Sequence, residues 1–396
     1  MPNLSLCMIV QNEAANLPQC LESVKGWVTE MVILDTGSQD NTVAIAQGYG
    51  ATVIAGQWSE DFSQARNEAL KAVSGDWVLV LDADERLNPK MQERIHQAIA
   101  NDQTLVINLL RQEIGASQSP YSSVSRLFRR HPQIYFNRPY HETIDDSVLA
   151  LLKQEPQWQI LDLPGVAILH SGYRPDVIQE REKTQRAEKL LEKALAANPQ
   201  DAYLCSKLGA LYLQLGKEKE GLKLLKQGLK SNLAQAPVRF ELHYHLANAY
   251  NRQNKGELAL KHYTKAINEP ILLPLKLGAL NNLGALYHQQ GNLPEAQKVC
   301  ETVIQIDPTL AVGYYNLGMV YKSQNRLLEA IKAYQKAIEL NPQSAAAHQN
   351  LGVATFKAGL LPESLTAFKT AIALYEQQQN PEADKLRKSL EEMGMI

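Results

Sequence analysis

The feature that most constrains this 396-residue chain is a 34-residue period in its second half. Leu283-Gly284-x-x-Tyr287 returns as Leu317-Gly318-x-x-Tyr321, and again as Leu351-Gly352 with Thr355 in the tyrosine slot. Each unit continues at fixed offsets with small, aromatic or apolar residues. These are Ala296, Cys300 and Val303, then Ala330, Tyr334 and Ala337, then Ser364, Phe368 and Ala371. Pro308 and Pro342 close two of the units. Upstream, Leu208-Gly209-x-x-Tyr212 and Leu246-Ala247-x-x-Tyr250 fit the same frame at spacings of 38 and 37, so extra residues sit at those junctions. Ala187, Leu191, Ala194 and Pro199 fit the second-helix positions of a partial leading unit. No such unit buries its own apolar face, so successive units must stack as helical hairpins. Small residues at the Gly and Ala positions let the helices of a hairpin approach closely, while the large ones fill the space between hairpins.

This pattern resembles the tetratricopeptide (TPR) family over about 190 residues. The resemblance implies an all-α solenoid with a concave face that binds a partner protein. Expected boundaries are a connecting helix and partial repeat over 176–200, about five repeats over 201–380, and a capping helix over 381–396. A plainer reading is that the array only extends or dimerises the protein. The repeats themselves carry no chemistry.

Residues 1–175 follow another rhythm. Apolar runs at Leu4–Val10, Met31–Leu34, Thr52–Ala55, Trp77–Leu81 and Leu105–Leu110 read as strands. They alternate with helical stretches at Leu17–Val24, Asn41–Tyr49, Phe62–Ala72 and Pro89–Ala100. Such alternation implies an α/β, Rossmann-like domain with a mostly parallel sheet and helices on both faces. Ligands gather beyond the carboxyl ends of the strands in sheets of this kind. The polar clusters Asn12-Glu13, Asp35–Ser38 and Asp82–Glu85 all fall there.

Asp82-Ala83-Asp84 follows a fully apolar strand. Side chains alternate along a strand, so the two carboxylates are expected to point the same way and to require a cation between them. Mg²⁺ or Mn²⁺ suits oxygen ligands and a bound diphosphate. The plainer reading is a pair of solvated loop acids. Arg66 carries a planar guanidinium suited to phosphate oxygens, or else lies on a helix surface. Asp35 could equally stabilise the turn before Gly37-Ser38.

Composition excludes several classes. The formal net charge is −2, so nothing pulls the whole chain toward nucleic acid or an anionic membrane. The one local basic cluster is Arg126, Arg129, Arg130 and His131. No stretch approaches 18 uninterrupted apolar residues, and the first residues lack a basic-then-apolar leader. Cys7, Cys20, Cys205 and Cys300 show no C-x-x-C spacing and are expected as reduced, buried thiols of a cytoplasmic protein.

The segments Cys7–Glu13, Leu34–Thr42, Ala65–Leu70 and Asp76–Glu85 are similar, in wording, order and spacing, to family 2 glycosyltransferases of GT-A fold. A subgroup similar to the sublancin-type S-glycosyltransferases has the same N-terminal wording and often carries TPR repeats. The resemblance implies a hexosyltransferase using a nucleotide-sugar donor, with a UDP-sugar the expected one, by single displacement with inversion. It implies Asp35 on the nucleotide base, Glu13 near the nucleoside, Arg66 on the diphosphate, Asp82 on ribose or sugar hydroxyls, and Asp84 on the metal. Thr36 departs from the family, where an acid is common. A distant histidine is a common third metal ligand there, and His170, after the apolar run Val166–Leu169, is the candidate. Otherwise it is a core histidine. Glu142 or His141 is the candidate base for the acceptor proton; alternatively the pair closes a loop over the donor.

Two rival functions are weighed. A sugar-nucleotide pyrophosphorylase would need a glycine-rich basic loop after the first strand, and Gln11–Asn16 is acidic and lacks glycine. A non-catalytic TPR scaffold with a relic transferase domain would not need Asp82 and Asp84.

Overall fold

The computed structural model describes residues 2–116, 118–171, 177–232 and 234–395. Residues 1–116 with 120–232 form one compact unit, and 117–119 with 233–396 form another. The expected boundary at 175–176 lies outside the described residues.

The first unit runs β1 (Leu4–Val10), α1 (Leu17–Val24), β2 (Glu30–Asp35), α2 (Thr42–Gly48), β3 (Thr52–Ala55), α3 (Phe62–Leu70) and β4 (Trp77–Val80). It continues β5 (Glu85–Leu87), α4 (Gln92–Ile99), β6 (Thr104–Glu113), β7 (Tyr121–Arg129), α5 (Asp145–Gln154) and β8 (Gln159–His170). Three helices close it: α6 (Val177–Ala197), α7 (Ala202–Gln214) and α8 (Glu218–Gly228).

The sheet order is β3-β2-β1-β4-β7-β6-β8-β5. Strands β3, β2, β1 and β4 are parallel, as the alternating pattern implies. Beyond them the sheet is mixed, because β7 and β5 pair antiparallel with their neighbours while β6 and β8 run parallel. Parallel strands covered on both faces read as continuous apolar runs. On β1 and β4, Leu6, Met8, Trp77 and Leu79 pack into one core, and Cys7, Val78 and Val80 into the opposite one. The four cysteines are free and buried, and burial pushes the Cys7 thiol up to about 12. No helix among the described residues is long and apolar enough to cross a membrane.

The described helices of the second unit are α9 (Ala236–Arg252), α10 (Gly256–Ile267), α11 (Leu277–Gln289), α12 (Leu293–Ile306), α13 (Ala311–Ser323), α14 (Leu327–Leu340), α15 (Ala345–Lys357), α16 (Leu361–Gln377) and α17 (Glu382–Glu392). Close approach explains the repeat. A Cβ on Gly318 would sit 2.7 Å from the Tyr334 ring, and one on Gly352 would sit 2.7 Å from the Phe368 ring. Each partner lies sixteen residues on, in the second helix of the same hairpin. Hairpin turns are equally regular. Asn254, Gly291, Asn325 and Gly359 take left-handed φ values of 56°, 76°, 60° and 78°. The next amide then donates back to the carbonyl of Tyr250, Tyr287, Tyr321 or Thr355, which closes the helix end.

Candidate active site

Parallel pairing of β2, β1 and β4 brings their carboxyl ends together, and the loops that follow are tied to one another. Asn12, in the left-handed region at φ 57°, donates its amide to Ser38 Oγ and accepts from the Gln39 amide. The Glu13 amide donates to Thr42 Oγ1, and the Glu13 carboxylate accepts from Asn16 Nδ2 at 2.9 Å. Asp35 is buried and accepts from the amides of Gly37 and Ser38 at 3.1–3.3 Å. It therefore stabilises its own turn, the plainer of its two expected roles. Thr36 donates its hydroxyl to the Val10 carbonyl.

The acidic element differs from its expected form. Strand β4 ends at Val80, and Asp82–Glu85 is a turn closed by the Glu85 amide on the Asp82 carbonyl at 3.0 Å. Strand alternation therefore does not govern Asp82 and Asp84, and each carboxylate has its own cation. Asp82 Oδ1 accepts from Arg66 at 2.6 Å, and Oδ2 pairs with Arg126 at 2.8 Å. Asp84 Oδ2 lies 3.2 Å from His170 Nε2. Each Asp82 oxygen thus accepts from one arginine, and the side chain is still 34% exposed beside the place where ribose or sugar hydroxyls were expected.

These pairs belong to one alternating chain of charge. Glu142 Oε1 accepts from Arg66 Nε at 2.6 Å. Arg126 joins Asp82 to Glu85, with 2.6 Å to Glu85 Oε2. Glu85, fully buried, takes Arg111 on its other oxygen at 2.8 Å. Arg111 Nε reaches Glu113 Oε1 at 2.9 Å, and Glu113 Oε2 holds His170 Nδ1. The line therefore runs Glu142–Arg66–Asp82–Arg126–Glu85–Arg111–Glu113–His170–Asp84. Buried charges persist only where paired in this way.

Titration follows from the pairing. Burial alone would raise the Asp82 carboxyl, but Arg126 and Arg66 override it and hold it well below the usual carboxylate range. Burial opposes the Arg66 and Arg126 charges, and the facing carboxylates restore and raise both. Hydrogen bonds to Asp84 and Glu113 lift His170 to about 10, against the opposing effect of burial. Arg66 is a buried residue of α3 and leaves its NH1 nitrogen buried without a hydrogen-bond partner.

Sheet register explains how distant residues meet. Glu85 on β5 and Glu113 on β6 both lie opposite His170 of β8. The Ser171 amide donates to the Asp84 carbonyl at 3.0 Å, which fixes the Asp82–Glu85 turn against the end of β8. Of the expected site residues, Arg66, Asp82, Asp84, Glu142 and His170 are drawn into this one chain. Asp35 ends the neighbouring β2, and Glu13 lies on the loop after β1. His141 stands apart: it is exposed, at φ 54°, with its ring 4.6 Å from that of Tyr140. The loop carrying the pair is anchored by Arg138, which bonds Asp201 at the start of α7 at 2.8 Å, and by Tyr203, whose hydroxyl donates to the His141 carbonyl.

Sequence reasoning missed Arg111, Arg126, Glu85 and Glu113 as site residues. Arg126 stood out only as part of a basic cluster. The available signal was charge at Arg111 and Glu113, at the end of the otherwise apolar β6; Arg126, on the serine-rich β7, gave none beyond its basic cluster. A separate cavity of about 350 Å³ lies by the amino ends of β2 and β3 and is lined by Glu30, Thr52 and Ser74 among others. Its lining contains no cationic side chain, so it does not suit a diphosphate.

Residues 5–161 match the glycosyl transferase family 2 model. Residues 278–310 and 311–344 match one tetratricopeptide repeat model, and 179–239 match another. A TPR repeat-containing protein of Synechococcus elongatus is 46% identical over 308 residues, which cover 78% of this chain and 76% of that one. The SPbeta prophage-derived glycosyltransferase SunS of Bacillus subtilis is 25% identical over 239 residues, 58% of this chain and 54% of that one. An uncharacterized glycosyltransferase of Rickettsia felis is 32% identical over 158 residues, 38% of this chain and 55% of that one. The chain thus spans little more than half the length of those two glycosyltransferases. It belongs to the TPR repeat-containing proteins, with a family 2 glycosyltransferase domain ahead of the repeats.

Proposed function

We propose that the N-terminal domain, expected over 1–175, transfers a hexose from a nucleoside-diphosphate sugar, a UDP-sugar being the favoured donor. The acceptor is a protein or peptide brought by the TPR array, and the setting is cytoplasmic. The observation that carries this reading is the pairing of Asp84 with His170 beside buried Arg66 and half-buried Arg126, at the strand ends where a nucleotide would lie.

The donor set suits Mn²⁺ or Mg²⁺. One carboxylate oxygen and one imidazole nitrogen face each other at 3.2 Å and are partly open to solvent. Among the described residues no group of three or more His, Cys, Asp or Glu side chains could hold a metal. Asp84 and His170 would therefore supply two ligands, leaving the rest to diphosphate oxygens and water. When bound, the cation would supply Lewis-acid stabilisation of the leaving diphosphate.

The chain's own residues would do the remainder. Arg66, its guanidinium fixed on two edges by Asp82 and Glu142, would offer the NH1 edge to a phosphate oxygen. Asp82 would orient Arg66 and Arg126 and turn its remaining lone pairs to ribose or sugar hydroxyls. Asp35 keeps lone pairs beyond those used by Gly37 and Ser38 and would accept from the nucleotide base, with Glu13 beside the nucleoside. Glu142 or His141 would take the acceptor proton as it attacks the anomeric carbon from the face opposite the diphosphate, inverting it.

A thermal-shift panel of nucleotide sugars with Mg²⁺ and Mn²⁺ tests the reading. A donor at a hundredfold excess over its Kd should raise the unfolding midpoint by about 5–10 °C in the presence of the right cation. A flat panel with every donor and both cations would favour the scaffold.

A further inference from the structure

Glu113 is tied to His170 in a way that decides which imidazole nitrogen faces Asp84. Register sets Glu113 and His170 opposite each other on β6 and β8, and the Ile114 amide donates to the His170 carbonyl at 2.9 Å. Glu113 Oε1 is held by Arg111 Nε at 2.9 Å and by the Ser122 hydroxyl at 3.0 Å. Its other oxygen, Oε2, is thereby left for His170 Nδ1, while Nε2 points at Asp84 Oδ2. A carboxylate only accepts, so Nδ1 must carry a proton wherever this bond is kept. By the same rule Nε2 donates to Asp84 Oδ2 while no ion is bound, so a cation shared with Asp84 replaces that one proton while Nδ1 keeps its own. Partners of this sort, set behind a metal-bound histidine, fix its tautomer and orientation.

We propose that Glu113 is a positioning residue of the cation site, holding His170 with Nδ1 protonated and Nε2 available to the ion; this rests on the reading that Asp84 and His170 bind that ion. The arrangement makes Glu113→Gln informative. Arg111 and Ser122 both donate to Oε1, so they retain the amide oxygen and turn the amide N–H toward His170 Nδ1. Nδ1 must then accept, so the proton that Nε2 gives to Asp84 is the last one on the ring and does not yield its place to the ion. The variant keeps every hydrogen-bond position filled, so its fold should survive while its cation affinity falls.

The test titrates Mn²⁺ into the full chain, with and without uridine diphosphate, and follows the free-ion electron paramagnetic resonance signal. Glu113→Gln should weaken Mn²⁺ by about 10- to 100-fold. At saturating Mn²⁺ it should also lose the ¹⁴N coupling of a directly bound imidazole. Glu113→Asp keeps the charge beside Arg111 but withdraws the oxygen by one methylene, and should weaken Mn²⁺ in the same direction. Wild-type affinity and intact ¹⁴N coupling in both variants, with both lost in His170→Ala, would overturn the role of Glu113 alone. An unchanged His170→Ala would overturn the underlying cation site as well.

Discussion

The two regions of the molecule hold themselves together by different means. In the TPR hairpins a glycine or alanine on one helix meets a large side chain sixteen residues later, and the contact is steric. At the strand ends of the transferase domain, nine charged groups alternate in sign from Glu142 to Asp84, and the contact is electrostatic. Steric pairs repeat locally and tolerate a change at one unit, because each unit touches only its neighbours. A buried charge chain is non-local, and losing one member leaves the next uncompensated.

The largest stability effect should therefore fall on Glu85. Its carboxylate is fully buried and serves Arg111, Arg126 and the Asp82 amide. Glu85→Ala should destabilise the first unit by about 3–5 kcal/mol, read by denaturant unfolding. A loss under 1 kcal/mol would place the network at the surface in energetic terms. Next comes overpacking in the array. Gly352→Ala puts a methyl 2.7 Å from the Phe368 ring and should cost about 1–3 kcal/mol. That loss should be confined to the repeats and leave donor binding intact. If it changed donor binding, the division of labour between the regions would fail.

The smallest effect is the pH dependence. The Asp82 carboxyl is held below its unfolded value of 3.8, so its contribution is present above that value and is lost as pH falls below it. Asp82→Asn should flatten the fall in stability below about pH 4 and leave the slope between pH 5 and 8 unchanged. An unaltered acid slope would mean that Asp82 is not paired in solution.

The same contrast governs what the sequence could reveal. The array was legible because its steric rule recurs every 34 residues, visible at Leu283, Leu317 and Leu351. The parallel half of the sheet was legible because β1 and β4 are buried on both faces and so read as apolar runs. Arg66, Asp84 and His170 were singled out through local wording or position at a strand end. Strands β5 and β7 were not, since β5 is three residues long and β7 alternates polar with apolar positions. The partners Glu85, Arg111, Glu113 and Arg126 were invisible as a set. What joins them is antiparallel pairing of β7 with β6 and of β5 with β8, which no local pattern encodes. The rule of strand alternation misplaced Asp82 and Asp84 because the strand ends before them and a turn sends their carboxylates to different cations.

The most direct measurement is metal-dependent turnover of a nucleotide-sugar donor by the full chain, with Asp84→Ala beside the wild type. The account predicts donor cleavage that requires Mn²⁺ or Mg²⁺ and falls by about a hundredfold or more in Asp84→Ala, on the scale of removing one charge-stabilising group from an active site. Turnover that survives in Asp84→Ala, or that proceeds undiminished with the cation chelated, would contradict it.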